Sequence, residues 1–129
     1  MPFVQISLRK GRTSTELRAI ADGVHEALVE TYKVPVDDRF QVINQYDEDT
    51  LIFDSGYLDI QRSDNVVIIH ILASNWRDTA AKQALYSAVA DNLSTTAGVR
   101  AEDVQVFISN NSKEDWSFGK GIASYVPAA

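Results

Sequence analysis

Alternation of apolar and polar side chains predicts the first strand of the chain. Between residues 3 and 9, Val4, Ile6 and Leu8 are apolar and the side chains between them are polar. A period of two places all three on one face of an extended chain, which is typical of a half-buried strand. Shorter runs predict further strands at 39–45 and 104–109.

A different pattern marks residues 66–72, which form an almost continuous apolar run. Such a run is typical of a central strand that is covered on both faces. The segment before it, 46–64, is rich in turn-forming residues and contains one short apolar piece at 51–53.

Two amphipathic helices lie between the predicted strands. The first begins at Thr13 or Ser14, because Glu16 follows Thr13 by three residues as in a capping box, and Val34-Pro35 ends it. Its apolar residues recur at helical spacing and are Leu17, Ile20, Ala21, Val24, Leu28 and Tyr32. The second helix covers 78–97, and its apolar residues are Ala81, Leu85, Val89 and Leu93.

The two halves of the chain match when one is shifted by 65 residues. Arg12 then falls on Arg77, Leu28 on Leu93, and Asp37-Asp38 on Glu102-Asp103. We therefore expect two βαβ units in tandem, with chance similarity between the units as the alternative. By the same correspondence, Asp103 is expected to be a solvated turn residue.

This pattern predicts a single domain of the α+β class. It has a first βαβ unit at about 2–46, a second at about 66–110, and a carboxy-terminal segment at 111–129. The four strands form one mixed sheet with both helices on one face. The other face then needs a cover, and the apolar run at 66–72 indicates that partner subunits supply it.

Composition and charge exclude several classes of function. The 129 residues carry a net charge of −6, so a nucleic-acid surface is not expected. There is no cysteine, and the two histidines show no metal-binding spacing. The sequence also lacks a membrane-length apolar run, a signal peptide and a phosphate-binding glycine loop. These absences favour a cytoplasmic protein that acts on a small molecule.

The histidines themselves are expected to be structural. His70 lies within the apolar run, where a hydrogen-bonded core histidine is more common than a catalytic one. His25 lies within the first helix and is expected to be partly exposed.

Pro2 is the candidate with the most distinctive chemistry. It stands directly before the first strand, so removal of Met1 would leave a secondary amine anchored at the start of that strand. Such an amine can act as a base, as an acid or as a nucleophile that forms an iminium ion. The alternative is that a proline follows the initiating methionine by chance.

An amino-terminal proline on a duplicated βαβ unit resembles the tautomerase superfamily. Within it, the chain looks most like the malonate semialdehyde decarboxylase branch. The runs that carry this resemblance are Val34-Pro35, Asp38-Arg39-Phe40-Gln41-Val42, Lys82-Gln83-Ala84-Leu85-Tyr86, Glu102-Asp103-Val104 and Glu114-Asp115-Trp116-Ser117-Phe118-Gly119.

The resemblance implies a catalytic set of Pro2, Asp38 and Arg77. The family has a pair of arginines spaced Arg-x-Arg before the second helix, and the first position of that pair holds Asn75 here. Asn75 would donate one uncharged hydrogen bond to the substrate, and Trp116 and Phe118 would form the apolar wall of the site. The resemblance also implies a homotrimer, a small carboxylate substrate and no metal or organic cofactor.

Each of these residues has a simpler structural explanation. Arg77 can be a surface arginine, although a cation at a helix amino terminus opposes the helix dipole. Asp38 can belong to a solvated turn. Trp116 and Phe118 can serve subunit packing.

Three functions follow from this set. The first is decarboxylation of malonate semialdehyde to acetaldehyde and carbon dioxide. The second uses the same proline for hydration or dehalogenation of unsaturated three-carbon acids, or for keto–enol tautomerisation. The third is a non-catalytic interaction protein that has kept the pocket.

Overall fold

The described part of the chain contains four strands and two α-helices in the order β-α-β-β-α-β, as the hydrophobic pattern predicts. The structure, a computed structural model, describes residues 2–128. Its elements are β1 (Phe3–Arg9), α1 (Ser14–Tyr32), β2 (Gln41–Tyr46), β3 (Val67–Ser74), α2 (Thr79–Thr96) and β4 (Val104–Asn111). Three single-turn 3-10 helices occupy Tyr57–Asp59, Ala101–Asp103 and Lys113–Asp115.

Helix α1 begins at the predicted capping box. The backbone N–H of Glu16 donates to Thr13 Oγ1 over 3.1 Å, and the backbone N–H of Thr13 donates to Glu16 Oε1 over 3.0 Å. Two of the unpaired N–H groups at the helix start are satisfied in this way. Helix α2 starts similarly, because Asp78 accepts a hydrogen bond from the backbone N–H of Ala81.

The four strands form one mixed sheet in the order β2-β1-β3-β4. Strand β1 is parallel to β2 and antiparallel to β3, and β3 is parallel to β4. Each βαβ unit therefore keeps its two strands parallel, and the units join through an antiparallel central pair. The predicted four-stranded mixed sheet is confirmed. That the two units arose by duplication stays a prediction.

Both helices pack on the same face of this sheet. The core-facing side chains of β1 and β3 are buried against apolar residues of α1 and α2. The helices approach closely at Gly23, where a Cβ atom would lie 2.8 Å from Leu93 Cδ1. Asn92 Nδ2 also donates a hydrogen bond to Gly23 O over 3.0 Å. The absence of a side chain at Gly23 is what allows this approach.

The opposite face of the sheet is open in the single chain. Its apolar side chains include Val42 and Phe107, which are exposed, and Ile68 and Leu72, which are half-buried. His70 lies among them and is hydrogen bonded to Gln5 Oε1 and Ser109 Oγ, at 3.2 and 2.9 Å. It is therefore hydrogen bonded as predicted, but on the open face and not in the core.

Two expectations about individual residues were wrong. His25 is buried, not partly exposed, because the chain after α1 folds back and Val36 O lies 2.7 Å from His25 Nε2. Asp103 is only 1% exposed. Its carboxylate accepts hydrogen bonds from the backbone N–H and the hydroxyl of Ser63, both at 2.6 Å, so it anchors a loop and does not lie in a solvated turn.

Two further predictions concern membrane-spanning segments and the removal of Met1. No helix between residues 2 and 128 is both long and apolar enough to span a lipid bilayer. The predicted removal of Met1 concerns a residue that lies outside the described part of the chain.

Candidate active site

Pro2 is buried at the edge of the sheet where β1 begins. The antiparallel register pairs Phe3 with Leu72, so one further step brings Pro2 level with Ala73 near the end of β3. The parallel register with β2, continued two steps before its first pair, brings Pro2 level with Arg39. This edge, which we call the Pro2 edge, therefore gathers the starts of β1 and β2 and the ends of β3 and β4.

A cavity of about 340 Å³ opens at the Pro2 edge. Pro2, Trp116 and Phe118, all predicted from the sequence, line it together with Phe3, Phe40 and Leu72. These side chains are all apolar or aromatic, and Ser117 adds one polar residue to the lining. The cavity can therefore desolvate a small molecule that is held close to the proline.

Aromatic contacts fix the wall of this cavity. The rings of Trp116 and Phe118 are stacked with their centroids 5.4 Å apart, and Phe40 contacts Phe118 at 5.5 Å. Trp116 Nε1 donates a hydrogen bond to Asn111 Oδ1 over 2.8 Å. Ser124 Oγ accepts from the backbone N–H of Phe118, so the carboxy-terminal segment folds back and supports the wall.

Arg77 lies at the same edge, in the loop between β3 and α2, but does not line the cavity. Its Nη2 donates a hydrogen bond to Tyr32 O over 3.1 Å. The guanidinium carbon lies 3.9 Å from the ring centroid of Trp76 and 4.5 Å from that of Tyr32. Nε and Nη1 are buried and have no hydrogen-bond partner within residues 2–128.

The surroundings of Arg77 act on its charge in opposite directions. Burial lowers the pKa of Arg77, whereas the nearby phenol groups of Tyr32 and Tyr125 raise it. Arginine remains protonated in proteins despite such shifts. The site thus holds a permanent cation with unpaired donors, which suits a carboxylate.

Asn75 and Asp38 also lie at the Pro2 edge and outside the cavity lining. The exposed Asn75 directly follows β3, and its backbone N–H donates to Asn111 O over 2.9 Å. Asp38 is half-buried before β2, where its backbone N–H donates to Pro35 O over 3.0 Å. The structure thus brings Pro2, Trp116 and Phe118 into one cavity and keeps the polar candidates beside it.

Sequence reasoning missed three aromatic residues of this region. Phe40 lines the cavity, Tyr125 packs edge-on against Phe118 with ring centroids 5.5 Å apart, and Tyr32 contacts Arg77. Phe40 was visible as an aromatic residue at the start of the predicted strand 39–45. Tyr32 was counted only as part of the apolar stripe of α1, which is also correct because its side chain is buried.

A larger cavity, of about 490 Å³, lies at the opposite edge of the sheet. Tyr57, Leu58 and Ile60 line it, and its Arg62 already donates to backbone carbonyls of the same loop. Volume therefore does not identify the functional cavity. Pro2 and the unpaired donors of Arg77 at the same edge favour the smaller cavity as the active site. No three side chains of His, Asp or Glu in residues 2–128 lie together in a way that could hold a metal ion.

Sequence and structure comparisons agree on one family. A family model described as "Tautomerase enzyme" matches residues 38–119, and a second model with the same description matches residues 2–56. A probable tautomerase of Bacillus subtilis (strain 168), YusQ, is 41% identical over 126 residues, which cover 98% of this chain and 99% of the relative.

Solved structures of malonate semialdehyde decarboxylases are also similar. The FG41 enzyme, inhibited by 3-bromopropiolate, is 40% identical with a TM-score of 0.90, and the match covers 95% of this chain and 93% of the other. A second enzyme, whose structures were used to explain decarboxylase and hydratase activities, is 29% identical with a TM-score of 0.91 and 95% coverage of both chains. A fused 4-OT trimer shares the fold alone, at 18% identity and a TM-score of 0.77, over 95% of this chain and 97% of the other.

Proposed function

Because this chain belongs to the tautomerase family, we propose that it is an enzyme that uses the amine of Pro2 to decarboxylate malonate semialdehyde. The observation that carries the proposal is a buried proline at the start of β1, in a small aromatic cavity, beside an arginine with unpaired donors. The similarity to two malonate semialdehyde decarboxylases supports the choice of substrate.

The reaction breaks the bond between the carboxylate carbon and the α-carbon. The electron pair of that bond passes to the α-carbon and is delocalised into the neighbouring aldehyde group. Carbon dioxide leaves, the α-carbon takes up a proton, and acetaldehyde is the second product. The protein must therefore stabilise negative charge at the aldehyde oxygen or provide a better electron acceptor.

Pro2 can meet this need in two ways. A protonated amine directed at the aldehyde oxygen stabilises the developing charge electrostatically. A neutral amine attacks the aldehyde carbon and forms an iminium ion with loss of water, and the iminium accepts the electron pair. Protonation of the α-carbon and addition of water to the resulting iminium then release acetaldehyde and regenerate Pro2. In both cases Asp38 influences the charge of the amine, since a nearby carboxylate favours the protonated form.

Arg77 binds the substrate carboxylate in this proposal, and Asn75 adds an uncharged hydrogen bond. The aromatic wall of Trp116 and Phe118 excludes water from the carboxylate, which favours loss of uncharged carbon dioxide. Arg77 lies outside the cavity lining of the single chain, so the substrate must extend from Pro2 towards the β3–α2 loop.

We further propose that the active form is a homotrimer. The open face of the sheet carries Val42, Phe107 and other apolar side chains that a neighbouring copy can bury. The fused 4-OT trimer shows that this fold is compatible with threefold assembly.

A hydratase is the second candidate. The structures of the second decarboxylase were used to explain a hydratase activity beside the decarboxylase activity, which favours a site that serves both reactions. In hydration of an unsaturated three-carbon acid, Asp38 would act as the base for water and protonated Pro2 would donate to the α-carbon. Tautomerisation would instead need a neutral Pro2. A profile of rate against pH therefore distinguishes tautomerisation from hydration.

The first test measures turnover of malonate semialdehyde by the purified chain and by Pro2→Ala. We expect acetaldehyde from the parent and loss of nearly all kcat/KM in the variant, because alanine has a primary amine with a different geometry. Intact mass should show that Met1 is absent. A 3-halopropiolate should label Pro2, since hydration of such an acid yields an acylating species.

Several outcomes would contradict the proposal. Full activity in Pro2→Ala, or a labelled peptide elsewhere in the chain, would exclude Pro2 as the catalytic group. A retained Met1 together with no turnover of any of these substrates would favour the interaction protein instead. Ser117→Ala serves as the control, because Ser117 borders the cavity without a proposed role in the reaction.

A further inference from the structure

Tyr32 holds Arg77 through two contacts of different kinds. Its backbone carbonyl accepts the hydrogen bond from Arg77 Nη2, and its ring lies under the guanidinium carbon at 4.5 Å. Tyr32 is the last residue of α1 and is only 2% exposed, so the core fixes its position. The loop that carries Arg77 is thereby attached to the end of a helix 45 residues earlier.

The carboxyl end of α1 is a favourable place for this cation. The last carbonyl groups of a helix lack partners within the helix and carry partial negative charge. The last turn of α1 contains no basic residue of its own. Lys33, the C-cap residue, donates from Nζ to Glu30 O over 2.7 Å, and Arg77 adds a second cation from another element. Its interaction with the Tyr32 ring is strengthened because the pair is partly desolvated.

These contacts use only part of the hydrogen-bonding capacity of Arg77. Nε and Nη1 remain buried with no partner in the described part of the chain. An unpaired buried donor of a charged group is costly, which indicates that a ligand completes its hydrogen bonds. The Trp76 side chain is on a residue that is 57% exposed, and its ring centroid lies 3.9 Å from the guanidinium carbon. The ring thereby shields the guanidinium from solvent.

We propose that Tyr32 is the positioning residue of the carboxylate site. Its ring and carbonyl hold the guanidinium so that Nε and Nη1 stay unpaired and can bond to a carboxylate that displaces the side chains now covering them. This inference rests on the proposed function through one point, the role of Arg77 as the ligand of the substrate carboxylate. Pre-orientation of this kind improves affinity because less side-chain freedom is lost on binding.

The test compares Tyr32→Leu, which removes the ring, with Tyr32→Phe, which keeps both the ring and the backbone carbonyl. Leu28→Val is the control, because it removes a buried methylene from the same helix without touching Arg77. Malonate is the probe, and its Kd is measured by titration calorimetry. We expect about tenfold weaker binding for Tyr32→Leu and a change within about twofold for Tyr32→Phe and Leu28→Val.

Kinetics supply a readout that a structural role alone would not move. In turnover of malonate semialdehyde, Tyr32→Leu should raise KM more than it lowers kcat. Tyr32→Phe should keep the KM and kcat of the parent. The Nε–H resonance of Arg77 in the parent should be shifted upfield by the ring, and malonate should move it. This measurement remains decisive if Tyr32→Leu does not fold.

The outcomes separate this inference from the proposed reaction. If the parent does not turn over malonate semialdehyde but malonate binding shows the expected variant pattern, the reaction is wrong and the role of Tyr32 stands. The role of Tyr32 is wrong if folded Tyr32→Leu binds malonate as the parent does, or if Leu28→Val weakens binding equally. It is also wrong if the parent does not bind malonate, or if the Arg77 resonance is averaged and unaffected by it.

Discussion

At the scale of single residues, the proposed site combines a few polar groups with an apolar cavity. Pro2 is buried among aromatic side chains, whereas Arg77 and Asn75 lie in the loop after β3. Within the proposed mechanism, this arrangement separates the electron-accepting end of the substrate from its carboxylate. In the sequence, Arg77 stands just before α2, where a cation opposes the helix dipole. In the structure its guanidinium donates to the carboxyl end of α1, where a cation is favourable.

Arg77→Ala should remove most of kcat/KM for malonate semialdehyde. Hydrogen bonds to charged groups contribute about 1.5–3 kcal/mol, which is roughly tenfold to a hundredfold in binding. Asn75 has no charge to replace the missing cation. Steady-state kinetics test this, with Arg18→Ala as an exposed arginine control on α1. If Arg77→Ala stays within about threefold of the parent, the carboxylate site lies elsewhere and Arg39, which is level with Pro2, becomes the candidate, whereas Arg12 lies beyond the other end of β1.

Asn75→Arg restores the Arg-x-Arg spacing and should lower KM for carboxylate substrates. A tighter hold on the carboxylate also opposes its departure as carbon dioxide, so kcat should fall. The two constants must be measured separately, because kcat/KM alone would hide opposite changes. An unchanged KM would show that residue 75 does not reach the substrate.

At the scale of secondary-structure elements, local hydrogen bonds define where the helices begin. The reciprocal bonds between Thr13 and Glu16 start α1 at Ser14 and direct the chain back across the sheet. Asp103 has a comparable role before β4, where it ties the loop at Ser63 to the start of the strand. These contacts order the segments that frame the sheet.

Stability should depend on the charge of Glu16. The hydrogen bonds to Thr13 lower the pKa of Glu16 below its ordinary value of 4.5. A lowered pKa in the folded state means that the stabilisation is complete above the unfolded pKa and is lost as pH falls through the folded one. Glu16→Ala should therefore be less stable than the parent at about pH 7, and the difference should shrink at about pH 3.

Urea unfolding at both pH values checks this expectation. Glu16→Gln is the control, because its uncharged amide oxygen can still accept the hydrogen bond from the backbone N–H of Thr13, and its stability should therefore depend little on pH at this position. A gap between Glu16→Ala and the parent that stays constant from neutral to acid pH would show that the carboxylate contributes nothing through its charge.

At the scale of the whole molecule, β1 and β3 are antiparallel, so the first strands of the two βαβ units start at opposite edges of the sheet. Pro2 directly precedes β1 at one edge. Val67, its equivalent under the shift of 65 residues, is the first residue of β3 at the other edge. The nitrogen of Val67 is a peptide nitrogen, so it cannot become a chain-terminal amine as that of Pro2 can. Arg12, the counterpart of Arg77, instead donates to Asn65 O over 2.6 Å. One proposed site per chain follows from this asymmetry.

We expect a homotrimer in solution, held together by the open face of the sheet. Light scattering should give about three times the chain mass of 14.3 kDa. Phe107→Asp places a charge on this face and should shift the protein towards the monomer, since an unpaired charge is costly to bury. Tyr86→Asp is the matched control, because Tyr86 is similarly exposed, at 39% against 45%, but lies on α2.

A monomer at micromolar concentration in the parent would exclude this assembly. Equal dissociation by Tyr86→Asp would instead place the interface on the helical side of the molecule. Either result would leave the cavity around Pro2 unchanged, because a single chain supplies all of its lining residues.

The sequence by itself determined the order of the elements, the start of α1 and the mixed sheet. The elements and the start of α1 depend on short-range periodicity and on contacts between residues three or four apart, which are readable along the chain. The mixed sheet follows from the tandem order of two βαβ units, whose connections obey general rules. It also indicated Pro2, Trp116 and Phe118, which one cavity brings together.

Only the tertiary structure decided which side chains meet across long separations. The burial of His25 depends on the return of the chain to Val36, and that of Asp103 depends on a loop 40 residues away. The contact of Arg77 with Tyr32 likewise depends on how α1 and the β3–α2 loop pack. No local pattern encodes such contacts, because they form only when the sheet places distant segments at the same edge.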